Sequence, residues 1–114
     1  MSDAADSTRS ATAGADALII ESLGSATRRT LRLVGALDVT TGPRLVDLGR
    51  KAISDGSATL TLDCHELQFC DSAGLRSFML LHRSAEGGLV VEHPSPMLIQ
   101  LLQVTGLTDL LTVI

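Results

Sequence analysis

The chain has 114 residues, of which 45% are apolar and 2% aromatic, and its formal net charge is −4. This length suits one domain whose core is built from aliphatic side chains. The scarcity of aromatic rings and the lack of a Lys/Arg cluster argue against nucleic-acid binding. The longest apolar runs fall well short of the ~20 residues that a membrane span needs, so we expect no membrane segment.

The N-terminal segment consists mainly of small and polar residues. Asp3, Asp6 and Asp16 fall in it and no apolar run interrupts it, so it does not resemble a signal peptide. Its composition offers almost nothing to bury in a core. We therefore expect a disordered tail over residues 1–16, a folded domain over residues 17–114, and a cytoplasmic protein.

The first half of the domain predicts two strands and a helix. Residues 18–20 are apolar, and residues 30–37 change from polar–apolar alternation to a continuous apolar run. Both patterns are typical of strands, and the polar segment 24–29 between them predicts a hairpin connection. Beyond the next turn, apolar residues at helical spacing predict a helix with Pro43 at its first position and its end at Gly56.

The second half alternates strands with helices. The predicted elements are a strand over 58–63, a helix from near Leu75 to the Gly87-Gly88 pair, a strand over 89–91, a helix from Pro96 to Gly106 and a strand over 110–114. The order β-β-α-β-α-β-α-β predicts an α/β domain with a mixed sheet. Its first two strands are antiparallel, the later ones are parallel, and right-handed crossovers pack the helices on the sheet.

One stretch, residues 69–75, joins the third strand to its helix and reads Phe-Cys-Asp-Ser-Ala-Gly-Leu. Ser72 is predicted at or next to the helix N-cap, where backbone N–H groups and the helix dipole favour an anion. Asp71 is predicted as a turn or cap residue. Asp38 ends the second strand, and the carboxyl ends of parallel strands meet at one edge of a sheet. We therefore predict a phosphate-accepting Ser72 with Asp38 nearby.

Two motifs carry a family resemblance. The first is Leu-Asp at residues 62–63 followed by residues 69–75, and the second is Gly-Ala-Leu-Asp at residues 35–38 followed by Thr41. In this order and spacing they resemble the signature of STAS domains, the anti-sigma factor antagonists. The resemblance covers the chain from about residue 17 to its end. It implies a STAS-like mixed sheet, in agreement with the predicted order of elements.

The resemblance implies a non-enzymatic partner switch that regulates transcription in a stress response. The unphosphorylated protein would bind an anti-sigma factor that is also a serine kinase, and so release the sigma factor. Phosphorylation of Ser72 would end binding, and a phosphoserine phosphatase would restore it. The partner-binding residues carried over are Asp38, Thr41, Asp71, Ser72, Ala73 and Gly74. No cofactor or metal is implied, and the chain lacks a nucleotide-binding loop, so ATP is expected on the partner.

The chain departs from the family pattern at three points. Ala73 stands where many members have a second serine, so Ser72 alone can carry phosphate in this motif. Cys70 replaces the usual aliphatic residue before the aspartate. Many members continue with a further helix after the last strand, whereas this chain stops at Ile114, so we expect one face of the sheet to be less covered.

The two cysteines admit a second interpretation. Cys64 and Cys70 are too few for a disulfide framework, and we expect two buried or half-buried thiols. The alternative is a redox pair that distorts the loop before Ser72. Such a redox pair would regulate the protein in the alternative function, which is that of a STAS binding or scaffold subunit that is never phosphorylated. A metal site at Cys64, His65 and Glu66 is a weak reading, and we expect no metal.

Two enzyme-type readings fit the sequence poorly. A Ser-His-Asp hydrolase would use Ser72, His65 or His82, and Asp38, but the chain lacks the Gly-x-Ser-x-Gly elbow that exposes a nucleophilic serine. A receiver-type phosphoacceptor needs an acidic cluster with a nearby lysine, and Lys51 is the only lysine in the chain. A binding protein therefore remains the favoured class.

Overall fold

The computed structural model describes residues 18–114, so the tail predicted for residues 1–16 lies outside the described residues. The elements in chain order are β1 Leu18–Gly24, β2 Arg28–Leu37, α1 Gly42–Ser54, β3 Thr59–Cys70, α2 Ser72–Ser84, β4 Leu89–Glu92, α3 Pro96–Val104, a short 3₁₀ helix Leu107–Asp109 and β5 Thr112–Val113. This is the predicted order. Within these residues no helix is long and apolar enough to cross a membrane.

The described strands form one mixed sheet in the order β1-β2-β3-β4-β5. β1 and β2 are antiparallel, and each later neighbouring pair is parallel. The crossovers through α1, α2 and α3 all step in the same direction along the sheet, so right-handed connections place these helices on one face. The α/β class with a mixed sheet and helices packed on it is confirmed.

Alternate residues of the central strands point into the core beneath the helices. The inward positions are at most 1% exposed: Leu31, Leu33, Leu60, Leu62, Leu89 and Val91. Phe78 of α2 is the largest of the fully buried side chains described. The opposite face carries half-buried residues such as Thr61 and Val90 and a row of charged side chains from Glu21, Arg32, Asp63 and Glu92. We call this side the open face, because no described helix packs on it.

β3 is longer than the strand predicted over 58–63. Its pairing with β2 shifts register between the pairs Arg32–Asp63 and Val34–Glu66, and again between Gly35–Leu67 and Ala36–Phe69. At each shift β3 contains one residue more than β2, which is the geometry of a β-bulge. The bulges break the period-two pattern of the sequence, so the strand could not be recognised beyond Asp63. They carry β3 as far as Cys70.

Other boundaries differ from the prediction, and β1 and β2 are longer than predicted, because β1 extends to Gly24 and β2 begins at Arg28. α2 begins at Ser72, one turn before Leu75, because Asp71 already caps the helix. β5 is confined to Thr112–Val113, since the preceding residues form the short 3₁₀ helix and Leu111 packs into the core. These differences leave the topology unchanged.

Candidate functional site

The two motif-bearing loops lie side by side at the carboxyl ends of β2 and β3. Leu37 pairs with Cys70 in the sheet register, so Asp38 and Asp71 follow neighbouring positions. The Asp71 N–H donates to the Leu37 carbonyl oxygen over 3.4 Å. We refer to residues 38–41 and 71–74 as the paired loops. The structure thus brings the Asp38 loop next to the start of the Ser72 helix, as the sequence suggested.

Asp71 is the N-cap of α2, and Ser72 is the first helical residue. The Asp71 backbone is extended, and its Oδ1 accepts from the Gly74 N–H at 2.9 Å. The first N–H groups of a helix lack intrahelical acceptors. The N–H groups of Asp71 and Gly74 donate to the Leu37 carbonyl oxygen and to Asp71 Oδ1. Among residues 18–114, the N–H groups of Ser72 and Ala73 have no protein acceptor. The exposed Ser72 side chain therefore stands beside donors available to an anion.

Loss of the Asp71 cap gives a testable effect on stability. We expect Asp71→Ala to lower the free energy of unfolding by about 0.5–2 kcal/mol, because the Gly74 N–H loses its acceptor. Urea or thermal unfolding measures this change. Asp47→Ala is the matched control, since Asp47 is exposed within α1 and caps nothing. Equal losses in both variants would contradict the capping role.

The Asp38 loop is a turn closed by its own side chains. Asp38 Oδ1 accepts from the N–H groups of Thr40 at 2.9 Å and Thr41 at 3.1 Å. The Thr41 hydroxyl donates to the Ala36 carbonyl oxygen at 2.9 Å and accepts from the Asp38 N–H at 3.0 Å. These bonds explain why the sequence has an aspartate three residues before a threonine. They also fix the loop before any partner arrives.

Burial separates the predicted partner-binding residues into two groups. Thr41 is only 5% exposed and Gly74, which has no side chain, is also buried, so neither presents an exposed side chain to a partner. They hold the paired loops in position instead. Ser72 is exposed, and Asp38, Asp71 and Ala73 are half-buried. This second group forms the accessible part of the site.

Gly74 allows α2 to start against the end of β2. A Cβ at this position would lie 2.7 Å from the Leu37 carbonyl oxygen and 2.8 Å from Cys70 Sγ. Contacts this short are not tolerated, and a backbone carbonyl has little freedom to move away. The glycine in the motif is therefore required by the close approach of the two loops.

Two exposed apolar side chains, one within the paired loops and one next to them, were not predicted from the sequence. Val39 is 74% exposed and Phe69 is 48% exposed. A groove of about 300 Å³ between α1 and α2 continues this surface, lined in part by Val39, Pro43, Val46, Ala73 and Leu80. The signal for Val39 was an apolar residue within a polar turn. Phe69 had no such signal, because the bulge before it reverses the alternation of β3.

The two cysteines are buried, free and apart. Cys64 follows Asp63, the partner of Arg32, whereas Cys70 pairs with Leu37. Measured along the strand direction, the two cysteines are therefore at least four residues apart. At a rise of ~3.3 Å per residue this is about 13 Å. A disulfide needs Cα atoms within ~7 Å, so the intact strand does not permit the alternative interpretation of a redox pair.

The environment of the two thiols also keeps them protonated. Burial raises the pKa of Cys70 to about 12, with a smaller contribution from the Asp71 carboxylate. Burial likewise raises the pKa of Cys64. Since the thiolate is the reactive form, both cysteines are unreactive at neutral pH.

Comparison with known proteins identifies the family of this chain. A protein-family model described as "Mlab, STAS domain" matches residues 23–112. The chain belongs to the STAS-domain family. A search of curated proteins gives no match to this STAS domain.

Solved structures share the fold of this STAS domain. An anti-sigma factor antagonist from Mycobacterium paratuberculosis has a TM-score of 0.79 and 20% identity, with 88% of this chain and 87% of that chain covered. The anti-sigma factor antagonist SpoIIAA in its unphosphorylated form has a TM-score of 0.72 and 24% identity, covering 86% and 88%. The Bacillus cell-fate determinant SpoIIAA in its phosphorylated form has a TM-score of 0.65 and 22% identity, covering 86% and 91%.

Proposed function

We propose that this STAS domain is an anti-sigma factor antagonist controlled by phosphorylation of Ser72. The observation that carries the proposal is the position of Ser72, exposed at the first residue of α2 beside the preformed Asp38 loop. Without phosphate, the paired loops bind an anti-sigma factor that has serine-kinase activity, and the sigma factor is released. Phosphorylation ends this binding, and a separate phosphoserine phosphatase restores it.

A phosphate on Ser72 is compatible with the fold. It adds a charge of about −1.5 to −2 at pH 7 next to the positive end of the α2 dipole. The N–H groups of Ser72 and Ala73 are available as donors. Arg76 is exposed one turn further along the same helix, at the i+4 spacing that favours an ion pair with residue 72. The domain therefore accommodates the modification without unfolding.

The same charge opposes binding of a partner. The surface around Ser72 contains the exposed apolar side chains Val39 and Phe69. Their removal from water when a partner covers them favours binding. This surface also contains the carboxylates of Asp38 and Asp71. A dianion placed among these groups has to be desolvated in the complex and repels acidic groups of the partner, at a cost of several kcal/mol.

Phosphorylation is tested by incubating the protein with ATP and candidate anti-sigma factor kinases, followed by intact-mass measurement. We expect one added phosphoryl group, because Ser72 is the only hydroxyl residue in the motif. The group should be absent from Ser72→Ala and present on Ser54→Ala, whose serine is exposed at the end of α1. Phosphate that persists on Ser72→Ala would place the modification elsewhere and refute the proposed acceptor.

One observation favours the second candidate, a STAS binding or scaffold subunit that is not phosphorylated. The matching family model carries the name Mlab, a different name from the anti-sigma factor antagonists among the solved structures. In this case the paired loops and the apolar groove bind a partner constitutively. A partner that binds tightly but adds no phosphate in the same mass experiment would support this candidate. Redox control through Cys64 and Cys70 is not included, because β3 holds these residues apart.

A further inference from the structure

Three metal-ligating side chains converge where β4 ends beside β3. Asp63 lies on β3 opposite Glu92, the last residue of β4, and His93 follows directly. One ligand atom from each of these residues lies within 4.8 Å of the other two. His93 Nδ1 is 3.6 Å from Asp63 Oδ1 and 3.9 Å from Glu92 Oε1. This cluster is on the open face and contains none of the residues in the paired loops.

A second imidazole borders the cluster. The rings of His65 and His93 meet edge to face, with centroids 6.4 Å apart. His65 lies in the first bulge of β3, where its N–H donates to Asp63 Oδ1 at 3.1 Å. Since bulges redirect side chains, this one places the His65 ring next to His93. Two histidines that are distant in sequence thus come together beside two carboxylates.

The backbone at His93 is also unusual. It is the one non-glycine residue with a positive φ, 54°, in the range 18–114. This left-handed conformation is uncommon for a residue with a side chain, although Asn, Asp and His tolerate it best. With this backbone conformation the imidazole lies beside Asp63 and Glu92.

We propose that this cluster is a binding site for a divalent transition-metal ion of the zinc type. Asp63, Glu92 and His93 are the ligands, and His65 borders them from outside the group whose ligand atoms lie within 4.8 Å of one another. Imidazole nitrogen and carboxylate oxygen are ligands that zinc prefers in tetrahedral sites. With zinc–ligand bonds of ~2.0–2.2 Å, tetrahedral geometry separates the ligand atoms by about 3.3–3.6 Å. The observed separations of His93 Nδ1 from the two carboxylates are close to this range.

The charge around the cluster is compatible with a cation. Arg32 is the nearest guanidinium in the sheet register, opposite Asp63. Its Nη2 is already bonded to Glu66 at 2.7 Å, and its Nε lies 3.8 Å from Glu21. The Glu66 carboxylate chiefly raises the pKa of Arg32 and Asp63 contributes least, so the Arg32 charge is paired mainly with Glu66. A bound ion would link the β3 bulge to the connection between β4 and α3.

Zinc binding is tested on tag-free protein by calorimetry and by NMR of the imidazole nitrogens. We expect one zinc ion per chain, with shifts of the His65 and His93 resonances. The chain has only three histidines. His82 is an internal reference, because its Nδ1 accepts from the Leu89 N–H at 3.1 Å. Unmoved resonances of both His65 and His93, or the absence of saturable binding, would overturn the proposal.

Matched variants separate this site from nonspecific binding. His93→Asn retains a residue that tolerates positive φ, and Asp63→Asn retains an acceptor for the His65 N–H. Each is expected to weaken zinc binding by about tenfold or more, since even outer-shell partners of metal ligands contribute ~10–100-fold. Glu86→Gln changes an exposed carboxylate outside the cluster and should leave affinity unchanged. Wild-type affinity in both His93→Asn and Asp63→Asn would overturn the proposal.

Discussion

Ser72→Glu is expected to bind the anti-sigma factor about 100-fold more weakly than Ser72→Ala, which should retain the affinity of the unphosphorylated protein. The glutamate places a permanent charge among Val39, Phe69, Asp38 and Asp71, where a partner has to desolvate it. A loss of ~3 kcal/mol for such a charge corresponds to about 100-fold in the dissociation constant. Calorimetric titration of both variants against the same partner measures the difference.

A matched control distinguishes a local charge effect from a change in net charge. Ser54→Glu adds the same charge at the far end of α1, away from the paired loops, and should bind like the wild type. Thermal unfolding gives a second control. Glutamate near the start of α2 interacts favourably with the helix dipole, so Ser72→Glu should be no less stable than Ser72→Ala. Equal affinities of the two Ser72 variants would refute the charge switch.

Gly74→Ala is expected to destabilise the domain by about 1–3 kcal/mol, although alanine is the better helix former by ~1 kcal/mol. The new methyl group would meet the Leu37 carbonyl oxygen at 2.7 Å and Cys70 Sγ at 2.8 Å. Relief of this overlap requires the start of α2 to move away from β2. For a domain of this size each kcal/mol lowers Tm by roughly 4–8 °C, which differential scanning calorimetry detects.

Gly49→Ala is the comparison for this variant. Its methyl group would also be crowded, at 2.5 Å and 2.8 Å from Leu81, but these contacts are with the ends of a side chain. A side chain can rotate away more readily than a backbone carbonyl, so we expect a smaller loss of stability than for Gly74→Ala. If Gly74→Ala were as stable as the wild type, the close approach would not be what requires glycine at this position.

Local sequence patterns were sufficient for the order of elements, because the core strands and helices keep their characteristic periods. They also predicted the neighbouring positions of Asp38 and Ser72, since both follow strands that are parallel. They could not predict the extension of β3, because two bulges interrupt its alternation. The outward position of Phe69 and the inward position of Thr41 depend on these local irregularities and on hydrogen bonds within the turn.

The cluster on the open face could not be predicted from the sequence for a different reason. Asp63 and Glu92 are far apart along the chain, and only the register of β3 with β4 sets them opposite each other. His65 joins them through a bulge, and His93 through a left-handed backbone conformation. Neither feature has a reliable signature in a single sequence. The sequence therefore led us to expect no metal site, and the pairing of strands is the basis for proposing one.

The hydrogen bonds that preform the paired loops have a consequence for the timing of the proposed response. Asp71 already caps α2, and Asp38 already closes its turn, before any phosphate or partner is bound. No slow refolding of this domain has to precede association or follow phosphorylation. The duration of the signal is then set by the turnover of the kinase and the phosphatase and by the lifetime of the complex. Under the proposed switch, the domain itself changes only at Ser72, and its partners determine how long each of its two states persists.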